Sequence, residues 1–353
     1  MSVVMKDRSK STAHEQRPFL RTDHETMANA TTMKHAFIGS QLTRMKSVPQ
    51  TIGHRGFKAA APENSMAAFK AATQAGAEAI ETDLHLTRDG VVVLCHDETL
   101  QRCYGNKSRV RDLDWAEISK LRTLREPCQP MPRLIDLLEY LNQPGLERIW
   151  LMLDIKTHDD AEEIMKRTAE ALASVPSQRP WNTRVTPCCW NAIYIKLCMT
   201  YLPGYPITHV GFSTTYARCL KDIPNISFSM LRHTLASPCG RRFIRDMRKL
   251  DIPVYVWTVN EEIWMEWSVQ RGLSGVITDE VSLFREVCGR MSSVEVQAPI
   301  TSKRQKKAAT ILYETIRFCG EMALLHFLIA IFLAREWLKH GPPSRHISKV
   351  LDG

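Results

Sequence analysis

Apolar residues along this chain keep two periods in turn. Short, nearly continuous apolar runs rich in β-branched residues fall at 50–53, 77–81, 149–154, 183–189, 206–212, 225–229, 253–257 and 275–278. Between them lie stretches with helical spacing at 62–75, 133–141, 191–200, 214–221, 239–250, 261–269 and 281–288. A run without polar alternation predicts a strand covered on both faces, as in a parallel sheet. Strands alternating with helices in eight units predict a closed (β/α)8 TIM barrel over residues 50–289. A ninth run, Val91–Leu94, follows the turn Thr87-Arg88-Asp89-Gly90 between the second and third units.

The pattern breaks in three places. Residues 1–49 are polar with no sustained period and read as a disordered tail, with Met45 an alternative start just ahead of the first strand. Residues 101–132 carry only a short helical stretch, Trp115–Leu121, then three prolines, and read as an insertion between strands. Residues 290–310 form a linker with the basic cluster Lys303-Arg304-Gln305-Lys306-Lys307. Residues 311–334 are strongly apolar, though Glu314, Arg317 and Glu321 interrupt the run. About 20 uninterrupted apolar residues are needed to span a bilayer. The expectation for 311–353 is therefore a membrane-associated tail, its apolar part a helix lying in the interface or a shallow re-entrant hairpin, assisted by basic residues on anionic lipid. A tilted anchor and a helix packed on the barrel are the alternatives.

Composition adds little to this picture. The 353 residues are 44% hydrophobic and 24% charged, as in an ordinary globular chain. The net charge of +9 is not gathered into a basic arm with interleaved aromatics, which argues against nucleic acid and leaves anionic lipid or a phosphate-bearing substrate. Ten cysteines show no Cys-x-x-Cys pair, so the sequence predicts reduced thiols rather than a zinc site or a disulfide framework.

The chemistry is concentrated in fewer than fifty residues. His54 and Arg55 follow the first predicted strand, and ligand chemistry in parallel α/β folds sits at that carboxyl end. Glu81 and Asp83 are two apart, so on a strand they share one face, with His85 next in the series. Two carboxylates held together suit a hard cation, Mg²⁺ or Ca²⁺, between them; a solvent-facing pair on an edge strand is the plain alternative. His96-Asp97 follows the ninth run, and a second histidine supplies the other half of an acid/base pair. Asp154 and Lys156 end the third barrel strand on one face. They offer a third carboxylate and a phosphate-binding ammonium, or else a surface ion pair. Trp257 ends another strand, facing substrate or packed in the core, and Trp190 ends a further one.

In order, Gly53-His54-Arg55-Gly56, Pro62-Glu63-Asn64-Ser65, Glu81-Thr82-Asp83, Thr87-Arg88-Asp89-Gly90 and His96-Asp97 resemble the glycerophosphodiester phosphodiesterase family. His54–Ala59, Leu151–Lys156, Val256–Asn260 and Ile277–Asp279 resemble, within it, the fungal phosphatidylglycerol-specific phospholipase C type. The family carries Glu-x-Lys where this chain has Asp154-Ile155-Lys156, which leaves the identity of the cation open. The resemblance implies a barrel of the PLC-like phosphodiesterase type, with the insertion capping its mouth. It implies a divalent cation on Glu81, Asp83 and Asp154, phosphate on Arg55 and Lys156, and acid/base work by His54 and His96. The activity it implies is metal-dependent cleavage of a glycerophospholipid, phosphatidylglycerol, to diacylglycerol and glycerol phosphate. That would occur at a cytosol-facing membrane of the endoplasmic reticulum, a lipid droplet or a mitochondrion. A phosphodiesterase for deacylated glycerophosphodiesters is the alternative, and an idle membrane-bound scaffold a third.

Overall fold

The computed structural model describes residues 37–45, 48–293 and 342–352. The strands are β1 (Gln50–His54), β2 (Ala79–Leu86), β3 (Val92–Leu94), β4 (Trp150–Ile155), β5 (Val185–Cys189), β6 (Ile207–Gly211), β7 (Ile226–Leu231), β8 (Val254–Trp257) and β9 (Gly275–Thr278). Eight of them are parallel, run β1-β2-β4-β5-β6-β7-β8-β9, and close through the β1–β9 pairing. The ninth, β3, is antiparallel to β2 and lies outside the closed ring. The (β/α)8 barrel expected from the alternation is therefore the architecture, and Val91–Leu94 is not one of its staves. Strand β2 runs well past the predicted end at Glu81, because β3 and β4 both pair with its second half.

Two apolar compartments hold the barrel. Outward-facing residues such as Ile80, Leu151, Leu153 and Val256 pack against the surrounding helices. Inward-facing Ile52, Ala79, Met152, Cys188, Val210 and Ile277 fill the lumen. The lumen floor is aromatic: the Trp150 and Tyr255 ring centres are 5.7 Å apart, and Phe37 meets Trp150 edge-on at 5.2 Å.

Phe37 belongs to a stretch read from sequence as part of a disordered tail, and that reading needs correction at its end. Residues Ile38–Met45 form a helix below the barrel. The Gln50 amide donates to Gly39 O at 2.7 Å and accepts from Trp150 Nε1 at 2.9 Å. The apolar residues of this helix, Ile38, Leu42 and Met45, keep helical spacing for only two turns, too short a period to stand out at the end of a long polar stretch. A chain begun at Met45 would leave Trp150 without its Phe37 cover.

The other end holds a second difference. Residues Pro343–Asp352 form a helix with Ile347 buried, lying against helices Ala192–Tyr201 and Thr214–Arg218. This part of the expected membrane-associated tail packs on the barrel. Residues 290–293 of the expected linker continue the last barrel helix, Val281–Ser293; the rest of the linker, the apolar stretch 311–334 and residues 1–36 lie outside the described residues. Among the described residues, no helix is long and apolar enough to cross a membrane. The described cysteines are free thiols.

Candidate active site

The turn Gly53-His54-Arg55-Gly56 is shaped by close approach. A Cβ on Gly53 would meet Gly56 O at 2.8 Å, and one on Gly56, whose φ is +81°, would meet Ala68 C at 2.7 Å. Both glycines are thus required for the turn to press against helix Met66–Gln74. Ser65 caps that helix, its Oγ accepting from Ala68 N at 3.2 Å. Arg55 and Asn64 have φ of +55° and +52°, left-handed conformations that non-glycine residues adopt where function or packing fixes them.

Register then assembles the site. His54 pairs with Glu81 across β1–β2, and Asp83 pairs with Asp154 across β2–β4. Oxygens of Glu81, Asp83 and Asp154 lie within 4.8 Å of one another, and all three residues are buried. Lys156 Nζ sits 2.7 Å from Asp83 Oδ1 and 2.6 Å from Asp154 Oδ2. Burial pulls the ammonium down, but Asp83 and Asp154 outweigh it and raise its pKa, so it stays charged. Arg55 donates from its backbone N–H to Glu81 Oε2 at 2.9 Å, and its Nε lies 3.3 Å from Asp83 Oδ2. Asn64 Nδ2 donates to Asp83 Oδ2 at 2.7 Å, while its Oδ1 accepts from Thr82.

Two cations face three buried acids, and the imbalance appears on Glu81. Burial, then Asp83, then Asp154 push its pKa well above the carboxylate range. Asp83 moves the other way: burial opposes, but Lys156 and Arg55 hold it low. An all-oxygen, buried and under-neutralised trio is the donor set a hard divalent cation takes. The residues therefore fit such an ion.

Each histidine is held by an ionised acid. His54 Nδ1 is 2.7 Å from Asp279 Oδ1, and Asp279 also accepts from Asn260 Nδ2 at 2.8 Å. His96 Nδ1 is 2.7 Å from Asp97 Oδ1, and Asp97 accepts from Arg102 Nε at 2.6 Å. For Asp279, burial is outweighed by His54 and Lys58, lowering its pKa to about 2. For Asp97, burial is outweighed by Arg102 and His96, again to about 2. An ionised carboxylate only accepts, so both rings carry the proton on Nδ1 and present Nε2. His96 itself is lowered by burial, helped by Lys156 and Arg55, and is neutral near pH 7.

His54, Arg55, Glu81, Asp83, His96, Asp154, Lys156 and Trp257 all line one solvent-open cavity of about 140 Å³ at the carboxyl end of the barrel. These eight residues singled out by sequence are thus brought together. Trp257 anchors its Nε1 on Ser229 O at 3.0 Å and meets Trp190 edge-on at 6.0 Å. His85 does not enter the cavity. Its Nδ1 lies 2.7 Å from Asp159 Oδ2 and its Nε2 3.3 Å from His96 O, so it braces the turn that carries His96.

Sequence reasoning assigned no role to Asp279, Glu63, Asp97 or Arg102. Arg102, from the insertion, reaches Glu63 with two nitrogens at 2.8 Å, and Glu63 also accepts from Arg55 Nη1 at 2.8 Å. Glu63, Asp97 and Asp279 stand in the motifs already quoted, and that was the available signal. Burial would raise Glu63, yet Arg102 and Arg55 lower it to about 2. Because the folded pKa values of these three acids lie below their unfolded ones, their stabilisation is present above about pH 4.5. It is lost as pH falls toward 2. Melting temperature is expected to drop steeply between about pH 4.5 and 2, and Glu63→Gln to flatten that drop, as read by acid titration of calorimetric melting.

A family model described as "Glycerophosphoryl diester phosphodiesterase family" matches residues 54–283. The chain belongs to that family and is a phosphoric diester hydrolase; family members are metal-dependent. It is 26% identical over 238 residues to a glycerophosphodiester phosphodiesterase of Caldanaerobacter subterraneus, covering 65% of this chain and 93% of the relative. It is 25% identical over 303 residues to a lysophospholipase D of Mus musculus, covering 74% and 93%. Among solved structures it is similar to a Thermotoga maritima glycerophosphodiester phosphodiesterase, with TM-score 0.55, 26% identity and coverage of 68% and 98%. An Oleispira antarctica phosphodiesterase solved with the product sn-glycerol-3-phosphate shares the fold, with TM-score 0.61, 21% identity and coverage of 69% and 97%.

Proposed function

We propose that this chain cleaves glycerophosphodiesters, keeping the glycerol phosphate half in the cavity and releasing the alcohol at the mouth. The observation that carries this is the pairing of two carboxylate-held histidines with a buried acidic trio, Arg55 and Lys156 in one cavity. Arg55 and Lys156 bind phosphate oxygens and offset the charge that develops on them. His96, neutral and presenting Nε2, takes a proton from the attacking oxygen. That oxygen belongs to water or to the glycerol hydroxyl beside the phosphate. His54 gives a proton to the leaving alcohol, with Asp279 stabilising the imidazolium. Glu81, Asp83 and Asp154 would hold Mg²⁺ or Ca²⁺, which would supply Lewis-acid polarisation of a phosphoryl oxygen.

The identity of the alcohol separates two readings. Deacylated phospholipids, releasing glycerol 3-phosphate, are favoured by the phosphodiesterase relatives. A lipid alcohol is favoured by the apolar stretch 311–334 and by the sequence resemblance to phosphatidylglycerol-specific phospholipases C. Under the second reading, 311–334 attaches the chain to a cytosol-facing membrane and the products are diacylglycerol and glycerol phosphate. Purified chain is given glycerophosphocholine in solution and liposomes of phosphatidylglycerol, phosphatidylinositol and phosphatidylcholine, with and without EDTA. EDTA-sensitive choline release without lipid loss is the expected result. Loss of phosphatidylglycerol with diacylglycerol appearing would transfer the assignment to the phospholipase C reading. No turnover of either would remove both.

A further inference from the structure

Asp154 has both carboxylate oxygens engaged from opposite sides. Lys156 Nζ holds Oδ2 at 2.6 Å, and the indole Nε1 of Trp190 donates to Oδ1 at 2.7 Å. Trp190 follows β5 directly, next to the strand that carries Asp154. Its ring meets Trp257 edge-on at 6.0 Å, and Trp257 is fixed in turn to Ser229 O at 3.0 Å. Asp83, beside Asp154 in register, is fixed by Asn64 and Lys156. Each of these two acids thus has one side-chain hydrogen-bond donor besides the shared lysine, and Asp83 also has the Arg55 guanidinium 3.3 Å away. For Asp154 that donor comes from the aromatic wall of the cavity rather than from the loop after β1.

We propose that Trp190 is the positioning residue for Asp154 as a cation ligand, its indole N–H fixing the carboxylate so that one face stays directed into the acidic trio. This rests on the cation reading given above. An indole N–H offers one donor in the ring plane and no acceptor, so it occupies one lone pair of Oδ1 and leaves the other free for a metal. Ligand orientation by such outer contacts is worth 10–100-fold in metal affinity in other sites. Trp190 and Trp257 line the cavity, so the surface that receives substrate and the clamp on the ligand are one packed unit.

The test uses the full chain, stripped with EDTA and titrated with Mg²⁺ and with Ca²⁺ by calorimetry. Trp190→Phe keeps the aromatic wall and removes the N–H. It is expected to bind cation about tenfold or more weakly, with its melting temperature in EDTA within a few degrees of the parent. Trp190→Gln returns a side-chain N–H without the ring and is expected to recover part of that loss. Affinity equal to the parent in Trp190→Phe, or no recovery in Trp190→Gln, overturns the positioning role and leaves the cation reading standing. A parent chain that binds no cation, or binds it equally after Asp83→Asn, overturns both. A measurement on the unaltered chain covers the case of a variant that does not fold. Among the eight indole N–H resonances of ¹⁵N-tryptophan-labelled protein, one is expected to move on cation addition. Eight unmoved resonances overturn the proposal.

Discussion

Alanine at His54 or at His96 is expected to lower turnover by about 10²–10⁴-fold, the range for loss of a positioned general acid or base, while the chain stays folded. The structure explains why the fold survives. Removing the His54 ring leaves Asp279 with Asn260 and Lys58, and removing the His96 ring leaves Asp97 with Arg102. Neither substitution strands a buried charge, which is the usual route to a large stability loss. The two variants differ in pH response. His96 is lowered from its ordinary value by burial, so the acid limb assigned to it lies below about pH 6.5 in the parent. Activity falls there as the ring takes up a proton. That limb should vanish in His96→Ala and persist in His54→Ala. Steady-state kinetics across pH 5–9, with melting curves for each variant, checks both points. Turnover within a factor of ten of the parent in either variant would remove that histidine from the acid/base scheme.

The barrel was legible because its strands are buried on both faces, and a strand of that kind is nearly continuous apolar sequence. The site was legible because its ligands sit at strand ends two residues apart, as Glu81 and Asp83 do, or Asp154 and Lys156. What periodicity cannot express is closure. His54 and Asp279 are 225 positions apart and meet only because β9 returns to β1. Asp154 and Trp190 meet only because β4 and β5 are neighbours and both end at the mouth. Charge networks are hidden for a related reason. Arg102 is half exposed and lies in a stretch that reads as a loop, yet it bridges the acid on His96 and the acid on Arg55. The two docked ends, Ile38–Met45 and Pro343–Asp352, read as tails because one ends a long polar stretch and the other follows the apolar run 311–334. Phe37 and Ile347 are buried there, Ile347 with Val350 and Leu351 beside it at helical spacing, but two turns of period do not tell a helix docked on the barrel from one lying elsewhere.

Lys156→Met should do the most damage to stability, and in a way that a cation reverses. Lys156 is buried and bonds Asp83 and Asp154 together, and of the neighbouring charges it does most to hold Asp83 ionised against its own burial. Methionine fills similar volume but leaves those carboxylates and Glu81 facing one another with Arg55 as the remaining close cation. Stranding charge in this way costs about 3–5 kcal/mol. At about 2–4 °C per kcal/mol for a domain of this kind, melting in EDTA should fall on the order of 10 °C. The sign with pH follows from Asp83. Its depressed pKa depends on Lys156, so in the variant it takes up a proton more readily and the penalty shrinks as pH is lowered. Mg²⁺ or Ca²⁺ should restore much of the lost melting temperature at pH 7, because an ion among three oxygen donors replaces the missing positive charge. It should not restore turnover, since the ammonium is assigned to the phosphate itself and its loss is expected to cost about 10²–10³-fold. Thermal melts with and without EDTA, beside kinetics at saturating cation, separate the two roles. Recovery of both stability and turnover would make Lys156 a charge balance only, and recovery of neither would argue that no cation binds between these acids.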